Sequence, residues 1–298
     1  MELVMRRRSR SDLIFDLINY ACLTIGVLLI LYPLYFVLIA SISDPNAIYA
    51  GEVYILPKHL TFDGYSRILQ DKLIWSGYAN SILYAVVGTA ISVSITLMAA
   101  YPLSRKDLYG KTFITWFLLF TTFFNGGLIP TYLLIKSLGM VNTMWALVLP
   151  GAAGVFNIII VRTFIQNTIP DEMREAAAMD GCSDTTFFVR IVLPLSKPVI
   201  AVMVLFHTVG FWNSFFDALI YLNSDKLWPL QLVLRNILVQ NQVDAKVLVD
   251  VDSYLAKMRV TELIKYGVII ISSGPLLVLY PFLQRYFVKG VLIGSIKG

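Results

Sequence analysis

Charge is scarce in this sequence. Only 14% of its 298 residues are charged and 57% are hydrophobic, whereas a soluble globular chain carries about 25% charged and about 45–50% apolar residues. Such a chain could not cover a water-facing surface with its charges, so a soluble globular protein is excluded, as are disordered and collagen-like chains. Cysteine is scarcer still. The two present, Cys22 and Cys182, fall in a hydrophobic run and in a polar loop, which excludes a disulfide scaffold and leaves reduced, unpaired thiols as the reading. With only two histidines there is no His/Cys cluster of metal-ligand spacing. The phosphate-cradling pattern Gly-x4-Gly-Lys-Ser/Thr is missing, and no catalytic constellation stands out. The expectation is a chain that is not an enzyme, holds no metal and no cofactor of its own, binds no nucleic acid, and draws any phosphate-bond energy from a partner.

What the sequence does have is long apolar runs, with a mean hydropathy of +0.72. Runs of about 20 residues match the roughly 30 Å hydrocarbon thickness that a helix must cross. Six spans are predicted, at about 17–42, 78–103, 112–135, 143–164, 198–222 and 262–287, in one all-α polytopic membrane domain over 1–298. Arg6, Arg7, Arg8 and Arg10 precede the first span, Arg105, Lys106 and Lys111 fill the second-to-third connection, and Arg285, Lys289 and Lys297 follow the last. By the positive-inside rule both termini are expected in the cytoplasm. The first run is too long for a signal-peptide core and lacks a small-residue cleavage site, so it is expected to be a retained helix. Loops 43–77 and 223–261 then fall outside and the segment 165–197 falls inside. The outer loops carry aromatic and apolar residues, among them Trp75, Trp228, Leu230 and Tyr254, and should be packed. Prolines 33, 102, 130, 150 and 275 lie in or beside spans; they fit either a bundle with a wet path through it or simple bending.

The inner segment from Thr168 to Pro194 reads as two short helices. Pro170 suits a first turn, with Asp171 and Glu172 at the positive end of the dipole. Gly181 stops that helix by accepting left-handed backbone, Ser183 caps the next one, and Pro194 closes it. Met173, Ala176, Ala177, Phe187, Phe188 and Ile191 would form an apolar face that fills either a partner's groove or the inner end of its own bundle.

Within that segment Glu175-Ala176-Ala177, Gly181, Ile191 and Leu193-Pro194 stand at the spacing of the EAA loop, and the chain resembles the membrane subunits of binding-protein-dependent ABC importers. The likeness extends through Gly126-Gly127-Leu128-Ile129-Pro130, Asn142-Thr143, Trp212-Asn213, Phe215-Phe216 and the terminal Val288-Lys289-Gly290 to Gly298. These stretches are similar to carbohydrate permeases of the maltose-permease type, and Gly126 to Pro130 with Pro229 to Leu232 most resembles the LplC-like subgroup. The resemblance implies the type I importer permease fold in a bacterial cytoplasmic membrane. It also implies a second, different permease subunit, an ATPase dimer that binds the ATP and magnesium, and an extracellular solute-binding protein. The solute would be an oligosaccharide, including uronate-containing ones. Glu175, Ala176, Ala177, Gly181, Ile191, Leu193 and Pro194 would couple to the ATPase, and Gly294, Lys297 and Gly298 of the tail 288–298 would touch it. Trp228, Gln231 and Arg235 would meet the binding protein.

For the solute path, Gly210, Asn213, Asp217 and Tyr221 recur at helical spacing and are expected along one face of the fifth span. An acid in a span is costly unless it faces water or a partner. With Trp212, Phe215 and Phe216 beside it, the stripe offers both hydroxyl partners and apolar faces for a sugar, or else cross-links helices. His207 is expected to be a hydrogen-bonded packing residue. A polyol or phosphodiester solute is the alternative within this class. An ion-coupled secondary transporter is the alternative outside it, disfavoured by the lack of an inverted repeat and by the docking loop.

Overall fold

Long apolar runs become long helices where no glycine or proline pair interrupts them, and this chain shows both outcomes. The computed structural model describes residues 10–247 and 264–278, together with 281. Arg6 to Arg8, the last part of the 223–261 loop, most of the sixth span beyond 278 and the tail residues Gly294, Lys297 and Gly298 lie outside the described residues. The helices are α1 (Arg10–Ser41), α2 (Pro45–Tyr49), α3 (Asp63–Gln70), α4 (Lys72–Ser104), α5 (Lys111–Phe123), α6 (Leu128–Ser137) and α7 (Trp145–Val148). They continue as α8 (Val155–Thr168), α9 (Asp171–Met179), α10 (Asp184–Phe187), α11 (Leu193–Leu195), α12 (Lys197–Asn213), α13 (Phe216–Tyr221) and α14 (Leu230–Val247). A further helix, α15, covers Ile264–Val278. No strand occurs among the described residues. The chain forms two compact units, one of residues up to 70 with 238–271, the other of 71–237 with the residues from 272 on.

In the first unit α1 is apolar all round, and Leu13, Phe15, Leu17, Leu28 and Leu31 stand exposed along it. A helix of that composition is stable against lipid or another apolar helix, not against water. At its end Ile39 packs with Ala47 and Val53. The hydroxyl of Ser43 donates to the Ile39 carbonyl at 2.6 Å and accepts the Lys58 N–H at 3.2 Å, which folds the following loop back on the helix end.

The second unit is built on α4, against which α8 and α12 pack. The reason lies in one row of small residues. Gly77, Ser81, Ala85, Gly88, Ser92, Thr96 and Ala100 are all buried on α4, three or four residues apart, so the neighbouring backbones come close. A Cβ on Gly88 would lie 2.5 Å from the Phe211 ring, and one on Gly77 would lie 3.1 Å from the Leu230 backbone. Thr89 and Thr208 hydrogen-bond across the α4–α12 contact at 3.2 Å.

The spans differ from expectation in continuity. Among the described residues two helices are individually long and apolar enough to cross a membrane, Ser11–Ser41 and Lys72–Ser104, with up to four if each sharply bent pair counts as one span. The predicted third span is the pair α5 and α6, bent by 111°. Gly127 has φ 79°, and its N–H is held by the Asn125 side chain at 3.0 Å, so the turn is built in. The fourth is split into α7 and α8 by the segment from Pro150 through Gly151 to Gly154, where proline and glycine both oppose a continuous helix. The fifth is interrupted at Ser214 and Phe215. Within the loop 223–261 the stretch Leu230–Val247 is helical, as α14.

Candidate functional site

The EAA segment folds as the expected helix pair. α9 begins at Asp171, with Asp171 and Glu172 in its first turn, and ends where the Cys182 N–H reaches back to the Ala177 carbonyl at 2.9 Å and that of Gly181 to Ala178 at 3.0 Å. Gly181 sits at φ +76°, in the left-handed region where a side chain is strained. Ser183 caps α10 by accepting the Thr186 N–H at 3.3 Å. A π-helical stretch over Phe188–Val192 and α11 follow, and the chain then turns by 77° into α12 just after Pro194.

The apolar face divides between the two alternatives. Phe187 is 3% exposed, and Phe188, Ile191, Leu193 and Ala177 pack on the core of Leu103, Ile165, Ile169 and Val192, so this part fills its own bundle. α9 itself has no buried residue. Glu175 and Ala176 are exposed, and Met179 is 89% exposed. Glu175 forms no ion pair among the described residues.

Beside α9 lies a charge cluster that positive-inside reasoning did not anticipate. The Arg105 guanidinium grips Asp107 with Nε at 2.8 Å and Nη2 at 2.6 Å, and reaches Asp184 at 2.6 Å. Arg174 reaches Asp107 at 3.4 Å, and Lys106 reaches Asp171 at 2.7 Å. The hydrogen bonds from Arg105 hold the Asp107 carboxyl down to about 2, and Asp107 and Asp184 together raise the guanidinium further above its usual range. A cavity of about 270 Å³ opens among Tyr101, Arg105, Gln166, Asp171, Arg174 and Phe187.

A second cavity, of about 410 Å³, lies elsewhere in the same unit. Gly210, Asp217 and Tyr221 line it, though not from the one helix face expected of them: Gly210 is on α12 and the other two on α13, beyond the break. His207, Phe206, Phe211, Ser214 and Thr131 complete much of the wall. His207 is buried and meets Asn157 Nδ2 at 3.2 Å, the packing bond expected of it, while also facing the cavity. Asn213 and Phe216 are exposed and do not line this cavity. Neither does Trp212, which is buried and donates its Nε1–H to the Ser272 carbonyl at 3.0 Å. The wall combines a carboxylate, hydroxyls and aromatic rings, a set that can bind hydroxyl groups and C–H faces.

The end of α13 is pinned by a residue whose role the sequence does not announce. Asn142 has φ 60°; its N–H donates to the Tyr221 carbonyl at 2.8 Å, and its Oδ1 accepts the N–H groups of Asn223 and Ser224, each at 3.0 Å. The following segment is stapled to α4. Asn80 donates to the carbonyls of Lys226 and Trp228, Tyr84 donates to that of Leu227, and Ser81 accepts the Leu230 N–H. Trp228, Gln231 and Arg235 are half-buried on this frame. The Trp228 Nε1–H is buried without a partner among the described residues, and Arg235 donates to Asn236 at 3.3 Å.

Residues 93–293 match the family described as binding-protein-dependent transport system inner membrane component. Protein LplC of Bacillus subtilis (strain 168) is 39% identical over 298 residues, covering 100% of this chain and 99% of its own. The polygalacturonan/rhamnogalacturonan transport system permease protein YtcP of the same organism is 38% identical over 285 residues, covering 96% and 99%. A chain in the crystal structure of a bacterial ABC transporter involved in the import of the acidic polysaccharide alginate is 32% identical, with a TM-score of 0.84 over 95% of this chain and 100% of that one. By this family match and these full-length likenesses, the chain belongs to the binding-protein-dependent transport system inner membrane components, the permease subunits of ABC importers.

Proposed function

We propose that this permease carries oligosaccharides released from an acidic, uronate-containing polysaccharide across a bacterial cytoplasmic membrane. It works beside a second, different permease subunit, above an ATPase dimer that binds the ATP and magnesium, and beneath an extracellular binding protein. Six spans, four of them bent or broken or only partly described, leave both termini in the cytoplasm. The observation that carries the coupling part is α9: an amphipathic helix with no buried residue, ended by Gly181 at φ +76° and rooted in the bundle by Phe187. Its Glu175 and Ala176 seat in a cleft of an ATPase subunit, with Gly181, Ile191, Leu193 and Pro194 keeping the turn. Gly294, Lys297 and Gly298 of the tail make a second contact there. Trp228, Gln231 and Arg235 meet the binding protein, and exposed apolar faces such as that of α1 meet lipid or the second permease.

The cavity at Asp217 is the path. Phe206 and Phe211 take the C–H faces of a sugar, while Asp217, Ser214 and Tyr221 take its hydroxyls. A carboxylate here repels a uronate, so the compensating cation belongs to the partner permease. The similarity to the polygalacturonan and alginate permeases supports the solute class. Calorimetric titration of the cognate binding protein with neutral and uronate oligosaccharides tests it, and binding of only neutral sugars, a polyol or a phosphodiester would overturn it. In proteoliposomes, Asp217→Ala should slow uptake severalfold through lost hydrogen bonds, by about 1 kcal/mol each. Parental uptake would remove Asp217 from the path.

A further inference from the structure

Two routes lead from α9 into the bundle. One is the chain itself, through α10 and α11 into α12. The other is electrostatic and runs to the α4–α5 connection, from α9 itself through Asp171 to Lys106 and Arg174 to Asp107, and from the start of α10, to which α9 leads, through Asp184 to Arg105. That connection is anchored on three helices. The Arg105 N–H bonds the Pro102 carbonyl of α4, its carbonyl accepts Lys111 Nζ of α5 at 2.9 Å, and the Ser104 carbonyl accepts Gln166 Nε2 of α8 at 3.0 Å. The cavity of about 270 Å³ lies between this anchorage and the first turn of α9. α9 has no fully buried residue and touches the apolar core through Ala177, so it can tilt over that space with little disturbance of the core, and the ion pairs then decide how the tilt is passed on. Arg105 suits the task because its planar fork grips Asp107 through Nε and Nη2 while Nη1 reaches Asp184, a fixed bidentate geometry that the point charge of an ammonium does not reproduce. Its own side chain is 20% exposed while those of Asp107 and Asp184 are 46% and 61% exposed, so solvent weakens the pairs and the fixed geometry of the fork, more than their strength, does the positioning.

We propose that the α4–α5 connection is a second coupling element, in which Arg105, clamped on Asp107 and Asp184, is a positioning residue that transmits displacement of α9 into α4. This rests on the reading that α9 docks on the ATPase. The test uses the whole assembly in lipid nanodiscs, comparing the parent with Arg105→Gln, Asp184→Asn and Arg105→Lys. Oligogalacturonate-loaded binding protein serves as stimulus, and hydrogen exchange of 171–187 is followed with and without ATP. Arg105→Gln and Asp184→Asn should each lower the ratio of stimulated to basal hydrolysis about fivefold or more and speed exchange in 171–179. Arg105→Lys should recover part of the ratio. A parental ratio and parental exchange in both loss variants would overturn the clamp. So would a lowered ratio that tracks reduced recovery of the complex, with lysine no better than glutamine, because that is loss of folding. If the parent is not stimulated by oligogalacturonate, the solute reading fails, and the exchange comparison still decides the clamp.

Discussion

Gly88→Ala tests whether the row of small residues on α4 shapes the path as well as the fold. The added methyl would lie 2.5, 2.6 and 2.8 Å from three carbons of the Phe211 ring. Carbon–carbon contacts are optimal at about 3.5–4.0 Å, so the ring must retreat by about 1 Å. Phe211 lines the 410 Å³ cavity, and the ring has that open space on one side. Two costs follow. Overpacking costs about 1–3 kcal/mol where neighbours cannot move, and the low end applies because the atoms displaced are the far end of a side chain. The retreating ring narrows the space beside Asp217. In a thermal melt of the assembled complex the stability loss reads as about 2–4 °C per kcal/mol, and in proteoliposomes the narrowed path reads as slower uptake with unchanged binding-protein affinity. Gly88→Ala combined with Phe211→Leu removes the clash and should restore the melt, while uptake recovers only if the ring itself is dispensable for the sugar. A parental melt and parental uptake for Gly88→Ala alone would refute the reasoning, since the ring would then not stand against Gly88.

Gly181→Val imposes a β-branched residue at φ +76°, which costs about 1–3 kcal/mol of backbone strain; stimulated ATP hydrolysis should fall while membrane insertion of the subunit, followed by protease protection, persists. Asn142→Ala frees the N–H groups of Asn223 and Ser224 and should lower uptake, whereas Asn142→Asp keeps the acceptor and should retain it; equal uptake by the two variants would count against pinning of α13. The carboxyl of Asp107 is held down to about 2 from 3.8, so its contribution is present above the unfolded value and is lost only as pH falls through the folded one. The melting difference between the parent and Asp107→Asn should therefore stay constant from about pH 5 to about pH 8 and shrink only below about pH 4.

The parts of the chain legible in sequence were those set by local chemistry. The uninterrupted runs of α1 and α4, the glycine stop at 181 and the Ser183 cap each follow from residues within a turn or two of one another. Continuity across polar residues was not legible in the same way. The stripe from Gly210 to Tyr221 has helical spacing, but Asn213 and Ser214 offer weak support for a helix and the chain breaks there, placing Gly210 and Asp217 on different helices that still share a cavity. Trp212 illustrates the converse: an aromatic next to the stripe is taken up by a bond to Ser272, 60 residues away. The charge cluster escapes a local reading for the same reason. Arg105 looks like an inner-loop cation until the fold brings Asp184 beside it. The small residues of α4 do carry a readable period, and their spacing points to a close helix contact without naming the partner.

The breaks at Ser214–Phe215 and at Pro150–Gly154 have a consequence for what the wall of the cavity is made of. Every helix end leaves main-chain amides or carbonyls outside the ladder, and at membrane depth such groups are tolerated only where protein or a water-filled space satisfies them. Ser214, Pro150 and Gly151, all from the interrupting segments, form part of the wall of the larger cavity. Part of that wall is thus peptide backbone, whose polarity no side-chain replacement removes. If solute passes this cavity, altering an anchor such as Asn142 would move that backbone and reshape the wall, whereas exchanging one lining side chain would leave it in place.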